Sequence, residues 1–211
     1  MTEAAGLFVS AHPLVHEKLT RLRDERTPPK IFRELIAEIA TLVLYEATSD
    51  LRLGDHDVRT PLAPYRGARL AEAVGLVPVL RAGIGMVEAA LELIPEAPVW
   101  HLGLFRDERT LRPISYYNKL PSSAPVQVCL VLDPMLATGG SAVATVQRMI
   151  HAPPSGRTPR VVIRTRGAFA TWLSGAELAI ARVAKTRDDV ALLVQALVER
   201  CEVDRHVGMG R

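Results

Sequence analysis

Apolar residues follow two different patterns along the chain, and each pattern predicts one type of element. A period near 3.6 predicts two amphipathic helices in the N-terminal quarter, at His12–Leu22 and Ile31–Ser49. Continuous apolar runs follow at Gly75–Leu80 and Val126–Leu132, and such runs are typical of strands buried on both faces of a parallel sheet. Together these patterns favour an α/β fold.

The segments between these elements complete the expected order. Asp50–Ala68 is polar and contains two prolines, which indicates an edge hairpin or a connecting arm. A helix is expected from about Gly85 to Ile94 and a strand at Val99–Phe105, followed by a polar excursion at Arg106–Pro125. The alternation of strand, loop and helix predicts a mainly parallel sheet that binds its ligand at the carboxyl ends of its strands.

The C-terminal third is less regular. A helix at Ala142–Ile150 is expected before a loop at His151–Pro159, and Arg160–Ile163 is a candidate strand. Helix-compatible patterns follow at Leu178–Ala184 and Asp189–Glu199. We expect one domain over the whole chain of 211 residues because this length supports a single sizeable core.

Composition and charge restrict the class of protein. Hydrophobic residues make up 48% of the chain and charged residues 23%, as in ordinary soluble domains. The net charge of +3 suits an anionic ligand but is too small to require nucleic acid. No apolar stretch approaches the roughly 20 residues of a membrane helix, and the N-terminus has no secretion signal. We expect a cytoplasmic protein with a reduced core thiol at Cys129.

The strongest candidate chemistry lies directly after the apolar run Val126–Leu132. Asp133 stands where the predicted strand ends, and Thr138–Ser141 (TGGS) precedes the predicted helix. Glycines let the backbone approach a ligand closely, hydroxyls add donors, and a helix N-terminus adds a positive dipole. An ordinary capped turn is the alternative for TGGS taken alone. The strand and the aspartate before it favour a phosphate-binding loop.

The string DPMLATGGSA that begins at Asp133 resembles the phosphoribosyl-diphosphate motif of uracil phosphoribosyltransferases. The resemblance implies a type I phosphoribosyltransferase fold, with a mainly parallel twisted sheet flanked by helices and a hood or arm. It implies that Asp133 holds the ribose hydroxyls and that Ala137–Ser141 hold the 5-phosphate. The residues expected to bind phosphoribosyl diphosphate in this loop are Asp133, Pro134, Met135, Leu136, Ala137, Thr138, Gly139, Gly140 and Ser141.

The segment Leu80–Gly83 (LRAG) is similar to the diphosphate loop of the same family. Arginine can neutralise a leaving diphosphate through two parallel hydrogen bonds. Arg81 is therefore expected to bind phosphoribosyl diphosphate. A surface arginine at a strand–helix turn is the alternative.

A third segment resembles the hood of the family. It combines HLGLFRD, which contains Arg106, with YYNKLP, which contains Tyr116, Tyr117 and Lys119. The resemblance implies that Arg106 contacts the diphosphate and that the tyrosines cover the site. The alternatives are tyrosines that only pack the arm and a solvated lysine. The similarity at His12-Pro13 extends the match from about residue 10 to 150.

The activity implied by the resemblance is the transfer of ribose 5-phosphate to uracil, which gives UMP and diphosphate. Asp133 and Arg106 are the implied catalytic residues. Mg²⁺ is the implied cofactor, held mainly by substrate and water because magnesium seldom uses an all-protein cage. GTP as an activator and a homo-oligomer are also implied. Neither a membrane nor nucleic acid is expected as a partner.

The resemblance is lost after Ile150. The family's uracil-binding segment, YIVPGLGDAGDR, is absent, and the chain ends in EVDRHVGMGR. The uracil-binding residues are therefore unassigned, and residues 151–211 reflect either divergence or a shifted reading frame. Two alternatives stay open: a transferase for another base, and a regulatory homologue that binds phosphoribosyl diphosphate without catalysis. The regulatory homologue could also bind RNA through an arginine-rich stretch that contains Arg157, Arg160, Arg164 and Arg166.

Overall fold

The computed structural model of the protein describes residues 7–106, 113–121, 126–134, 144, 145, 148, 160–165 and 179–182. Within them, the helices whose two ends are described are α1 (Pro13–Arg23), α2 (Pro29–Ala47) and α3 (Val87–Leu93). The strands are β1 (Leu7–Val9), β2 (Leu53–Arg59), β3 (Pro64–Leu70), β4 (Val74–Leu80), β5 (Leu102–Arg106), β6 (Pro113–Asn118), β7 (Val128–Asp133), β8 (Arg160–Thr165) and β9 (Ala179–Arg182).

Seven of these strands form one sheet in the order β1-β9-β8-β7-β4-β5-β6. The four central strands, β8, β7, β4 and β5, run parallel to one another, and antiparallel strands lie at both edges. Among the described strands, β2 and β3 pair with each other alone and form the separate hairpin predicted at Asp50–Ala68. The α/β class with a mainly parallel sheet and packed helices is confirmed.

The apolar sequences of β4 and β7 place these strands in the middle of the sheet. All residues of β7 and all but the last of β4 are buried. Alternate residues of both strands pack against α2 and α3 in a core of Ala40, Leu44, Val74, Leu76, Met86, Val87, Ala89, Ala90, Ala97, Val128, Leu130 and Leu132. On the other face, a Cβ at Gly75 would lie 2.8 Å from the Trp100 ring, so glycine admits this ring against the sheet.

α1 and α2 form a helical pair with its own apolar contact. Both helices begin with proline in the first turn, where the missing N–H is not needed. Their shared interior consists of Val15, Leu19, Leu22, Leu35, Ile39 and Val43. Beside it, Ser10 donates a hydrogen bond of 2.9 Å to Glu46 near the end of α2. The predicted helices at His12–Leu22 and Ile31–Ser49 are confirmed to within two residues at each end.

The structure differs from the sequence-based expectation in several places. β1 was not expected, and the strand expected at Val99–Phe105 is β5, which begins at Leu102. The polar excursion Arg106–Pro125 contains strand β6, which pairs antiparallel with β5. The helix expected from about Gly85 begins as a 3-10 turn at Ala82–Met86 before α3. The helix prediction at Leu178–Ala184 is wrong, because Ala179–Arg182 forms β9 and bonds to β8 and β1. The spacing of so short an apolar run fits a helix or a strand, and hydrogen bonding to two neighbouring strands decides for the strand.

Other predictions fall wholly or partly outside the described residues. Ala144, Thr145 and Arg148 are helical, as expected for Ala142–Ile150, while the other residues of that segment are not described. The strand at Arg160–Ile163 is confirmed and continues to Thr165. His151–Pro159 and Asp189–Glu199 lie outside the described ranges. Within the described part, no helix has both the length and the apolar character needed to cross a membrane.

Candidate functional site

The carboxyl ends of β5, β4 and β7 meet at one edge of the sheet. Leu80 pairs with Gly103 of β5, and Pro78 pairs with Leu132 of β7, in parallel register. Arg81 directly follows β4, Arg106 ends β5, and Asp133 ends β7. Neighbouring strands lie about 4.8 Å apart. The backbones of these three predicted site residues therefore emerge side by side, with the β4 end in the centre.

Asp133 is held inside the protein at this edge. It is the last residue of β7, it is only 4% exposed, and Pro134 after it is also buried. Its backbone pairs with Thr165 at the end of β8. Because β7 lies between two parallel neighbours, the carboxylate starts from a rigid backbone.

Arg81 has the opposite environment. Its side chain is exposed, and no carboxylate of the described residues forms a salt bridge with it. The peptide bond between Leu80 and Arg81 is cis. The carbonyl of Arg81 accepts a hydrogen bond of 3.2 Å from the amide of Ile84, which closes the following turn. The guanidinium is thus available to an anion at the edge where Asp133 emerges.

Gly83 fixes this arginine loop against the strand that bears Asp133. A Cβ at Gly83 would overlap the carbonyl oxygen of Leu132 and would lie 3.1 Å from the Cα of Pro78. Both obstacles are backbone atoms, which cannot rotate away as a side chain can. Only glycine permits so close an approach. The spacing between the loop after β4 and the end of β7 therefore depends on this residue.

A groove of about 740 Å³ opens beside the arginine loop. It is lined by Leu80, Arg81, Ala82, Leu104, Phe105 and Tyr116. The rings of Phe105 and Tyr116 lie 6.1 Å apart between centroids and are tilted by 45°. The groove thus has an exposed cation on one side and an aromatic pair on the other.

The structure brings together only part of the predicted site. Arg106 ends β5 at the correct edge, but its side chain is not among those described. Met135–Ser141, the expected phosphate loop after Pro134, lies outside the described residues. Lys119 is exposed, and its amide donates a hydrogen bond of 3.2 Å to the carbonyl of His101. The sequence interpretation missed Leu104 and Phe105 as groove residues, although they precede Arg106 on the same strand.

Two other observations restrict the chemistry at this edge. Among the described residues, no three side chains of the types His, Cys, Asp and Glu form a group that could hold a metal ion. Burial raises the pKa of the Cys129 thiol to about 12, so this thiol is not an activated nucleophile. Among the described residues, this edge presents a buried carboxylate, an exposed guanidinium and a tyrosine hydroxyl.

Comparisons with known proteins agree with this arrangement. A family model described as uracil phosphoribosyltransferase matches residues 9–210, and so continues past Ile150, where the resemblance was expected to end. Uracil phosphoribosyltransferase of Roseiflexus castenholzii is 63% identical over 140 residues, which are 66% of this chain and 67% of the relative. The enzyme of Geobacillus kaustophilus is 41% identical over 198 residues, which are 92% of this chain and 88% of that protein.

A solved structure supports the same fold. The AQ2163 protein from Aquifex aeolicus superposes with a TM-score of 0.67 and 32% sequence identity, over 76% of this chain and 74% of that one. The parallel sheet, the loops at its carboxyl edge and these relatives define a phosphoribosyltransferase, an enzyme of the glycosyltransferase type. More narrowly, the chain belongs to the uracil phosphoribosyltransferase family.

Proposed function

We propose that the protein transfers ribose 5-phosphate from phosphoribosyl diphosphate to uracil and releases UMP and diphosphate. The observation that carries this proposal is the placement of buried Asp133 and exposed Arg81 at adjacent strand ends, in a chain of this family. A cation beside an acid suits a substrate with an anionic leaving group and neighbouring hydroxyls. The ligand position also follows the general rule for open α/β sheets.

The proposed reaction depends mainly on stabilising the negative charge of the departing diphosphate. The bond from ribose C1 to the diphosphate oxygen breaks and its electron pair leaves with diphosphate. Uracil N1 forms a bond to C1, and its proton passes to solvent. Arg81 and Arg106 would stabilise the departing anion through charge-assisted hydrogen bonds. The carboxylate of Asp133 would accept hydrogen bonds from the ribose hydroxyls and orient C1 toward uracil.

The 5-phosphate is assigned to the loop after β7 on the basis of its sequence. Ala137–Ser141 follows the end of a central strand, and glycine-rich loops at this position offer backbone N–H groups to phosphate. Pro134, Met135 and Leu136 would connect the ribose contact to the phosphate contact. The two ends of the substrate would then lie on Arg81 and on this loop, with the ribose over Asp133.

Magnesium is proposed as the cofactor. One carboxylate, Asp133, without a group of three ligands among the described residues, fits an ion held mainly by substrate oxygens and water. Bound Mg²⁺ would neutralise part of the diphosphate charge. Asp133 would contribute to holding it only through the ribose end of the substrate. Arg81 and Arg106 would supply the positive charge that the protein itself brings to the leaving group.

A homo-oligomer, activation by GTP and a cytoplasmic location are further proposals. The oligomer is supported by exposed apolar side chains on the β2–β3 hairpin, among them Leu53, Leu62 and Tyr65. The two other proposals rest on the family resemblance. Turnover measured with and without GTP, at several protein concentrations, tests activation and assembly in one series.

One assay separates the proposed activity from its alternatives. The protein is mixed with phosphoribosyl diphosphate and Mg²⁺, and diphosphate release is followed with uracil, hypoxanthine, adenine or orotate. Release with uracil alone is the expected result. Release with another base would assign a different transferase, and binding of the sugar diphosphate without turnover would indicate a regulatory homologue.

The matched control for the site is Asp133→Asn. This variant keeps the size of the side chain and removes its charge, so we expect weaker binding of phosphoribosyl diphosphate. Unchanged binding by a folded Asp133→Asn protein would show that the site has been misplaced.

A further inference from the structure

Tyr116 occupies an irregular position in the β5–β6 ladder. Gly103 pairs with Tyr117 and Leu104 pairs with Ser115, so Tyr116 is the extra residue of a β-bulge. Bulges bend a strand and redirect a side chain, and they are frequent beside active sites. In a regular ladder, Tyr116 and Tyr117 would point to opposite faces of the sheet.

The redirected ring lies across β5 and beside the arginine loop. A Cβ at Gly103 would lie 2.7 Å from the ring carbon of Tyr116 that bears the hydroxyl. Gly103 is in turn the parallel partner of Leu80, the residue before Arg81. The ring of Phe105 lies beside the ring of Tyr116, with the two centroids 6.1 Å apart. The hydroxyl-bearing end of the Tyr116 ring thus lies over Gly103, and Tyr116 lines the same groove as Arg81.

We infer that Tyr116 is a binding residue for the diphosphate group of the substrate, with its hydroxyl donating a hydrogen bond from the wall opposite Arg81. This inference rests on the proposed function. A phenol supplies a neutral donor, and a hydrogen bond to a charged acceptor is among the stronger ones in proteins. The bulge and Gly103 have the role of positioning that donor, since any larger residue at 103 would displace the ring.

Tyr116→Phe tests the hydroxyl while keeping the ring on Gly103 and against Phe105. Binding of phosphoribosyl diphosphate and of inorganic diphosphate, each with Mg²⁺, is measured by calorimetry, and turnover with uracil is measured in parallel. We expect affinity for both ligands to fall about tenfold, with the KM for uracil unchanged. Tyr45→Phe, at a ring that is 73% exposed on α2, is the control and should bind like the unsubstituted protein.

Two further variants separate positioning from a general effect on folding. Gly103→Ala should lower diphosphate affinity at least as much as Tyr116→Phe, because the added methyl group displaces the ring. Tyr117→Phe removes the hydroxyl of the regularly paired neighbour and should lower diphosphate affinity less than Tyr116→Phe does. Circular dichroism and thermal unfolding of each variant show that the fold is retained.

The outcomes distinguish this inference from the proposed function. If the protein converts uracil to UMP but Tyr116→Phe binds diphosphate normally, the role of Tyr116 is overturned and the activity stands. That role is also overturned if Tyr117→Phe, rather than Tyr116→Phe, loses affinity. If the unsubstituted protein neither binds phosphoribosyl diphosphate nor turns over, the proposed function fails and this inference fails with it.

Discussion

β4 and β2 are strands of equal length, seven residues each, with opposite surroundings. Six residues of β4 are buried, whereas no residue of β2 is buried. β4 lies between two parallel neighbours, whereas β2 pairs only with β3. An isolated two-stranded hairpin is marginally stable in water. β4 therefore holds its residues in place by burial, whereas the β2–β3 hairpin exposes its side chains to solvent.

The hairpin is held by local hydrogen bonds instead of a core. At its tip, the Thr60 hydroxyl donates to the carbonyl of Ala63 at 2.8 Å. At its base, buried Glu72 accepts hydrogen bonds from the amide of Arg52 at 3.0 Å and from the Arg52 guanidinium at 3.2 Å. These contacts fix the shape of the hairpin without burying its apolar side chains. Leu62, at the tip of the hairpin, remains 97% exposed.

The largest predicted effect is a loss of folding stability when a buried strand residue is truncated. Leu132→Ala removes a fully buried side chain of β7 and should lower the free energy of unfolding by about 2–5 kcal/mol. Leu62→Ala deletes the same atoms at the hairpin tip and should change it by less than about 0.5 kcal/mol. Urea denaturation at low protein concentration measures both, and equal losses would contradict the contrast.

Gly83→Ala should have the next largest effect. The added Cβ meets the backbone of β7 and β4, and overpacking of this kind costs about 1–3 kcal/mol. Affinity for phosphoribosyl diphosphate should fall as well, because the arginine loop must move. Gly54→Ala in β2 is the matched control, since its Cβ would lie at an ordinary 3.5 Å from Ala71. A stable Gly83→Ala protein with normal affinity would refute the role of this glycine.

A smaller effect should appear in assembly and not in folding. Leu62→Ser and Tyr65→Ser reduce the exposed apolar surface of the hairpin, and each should weaken self-association about tenfold, or about 1.4 kcal/mol. Leu14→Ser on α1 replaces another exposed leucine and serves as the control. Sedimentation velocity over a range of concentrations measures the change. A monomeric unsubstituted protein at every concentration would exclude this use of the hairpin.

The smallest effect concerns the turn after α1, where neither burial nor pairing of strands contributes. Side-chain hydrogen bonds from Arg26, and then its backbone amide, lower the pKa of Asp24 to about 2 from 3.8. Because this pKa is lowered on folding, its stabilising contribution is present above the unfolded pKa and is lost as pH falls through about 2. Arg26→Ala should return the Asp24 pKa toward 3.8 in an NMR titration. Both groups lie at the surface, so little change in stability should accompany it.

The sequence predicted the buried elements well because their patterns are one-sided or continuous. Val126–Leu132 and Gly75–Leu80 correspond to β7 and β4 with shifts of one or two residues. β6 was missed because its sequence, PISYYN, mixes polar and apolar residues without a clear pattern, so its pairing depends on β5 and not on burial. Ala179–Arg182 was misassigned for a similar reason, since a short alanine-containing segment fits a helix or a strand until its neighbours are known.

The candidate site was predicted to a different extent. Asp133 and Arg81 could be identified because each stands at a strand end within a recognisable motif, and the sheet brings these ends together. The contact of Gly83 with the backbone of Leu132 could not be read from the sequence, because it depends on how two distant strands are paired. The bulge at Tyr116 is likewise a property of register, which a linear pattern does not specify.

β4 also separates the hairpin from the groove along the chain. Glu72, at the base of the hairpin, lies just before this strand, and Arg81 lies just after it. The seven residues of β4 between them, at about 3.3 Å each, span about 23 Å. The hairpin proposed for assembly and the groove proposed for chemistry therefore adjoin opposite ends of one strand and share no residue.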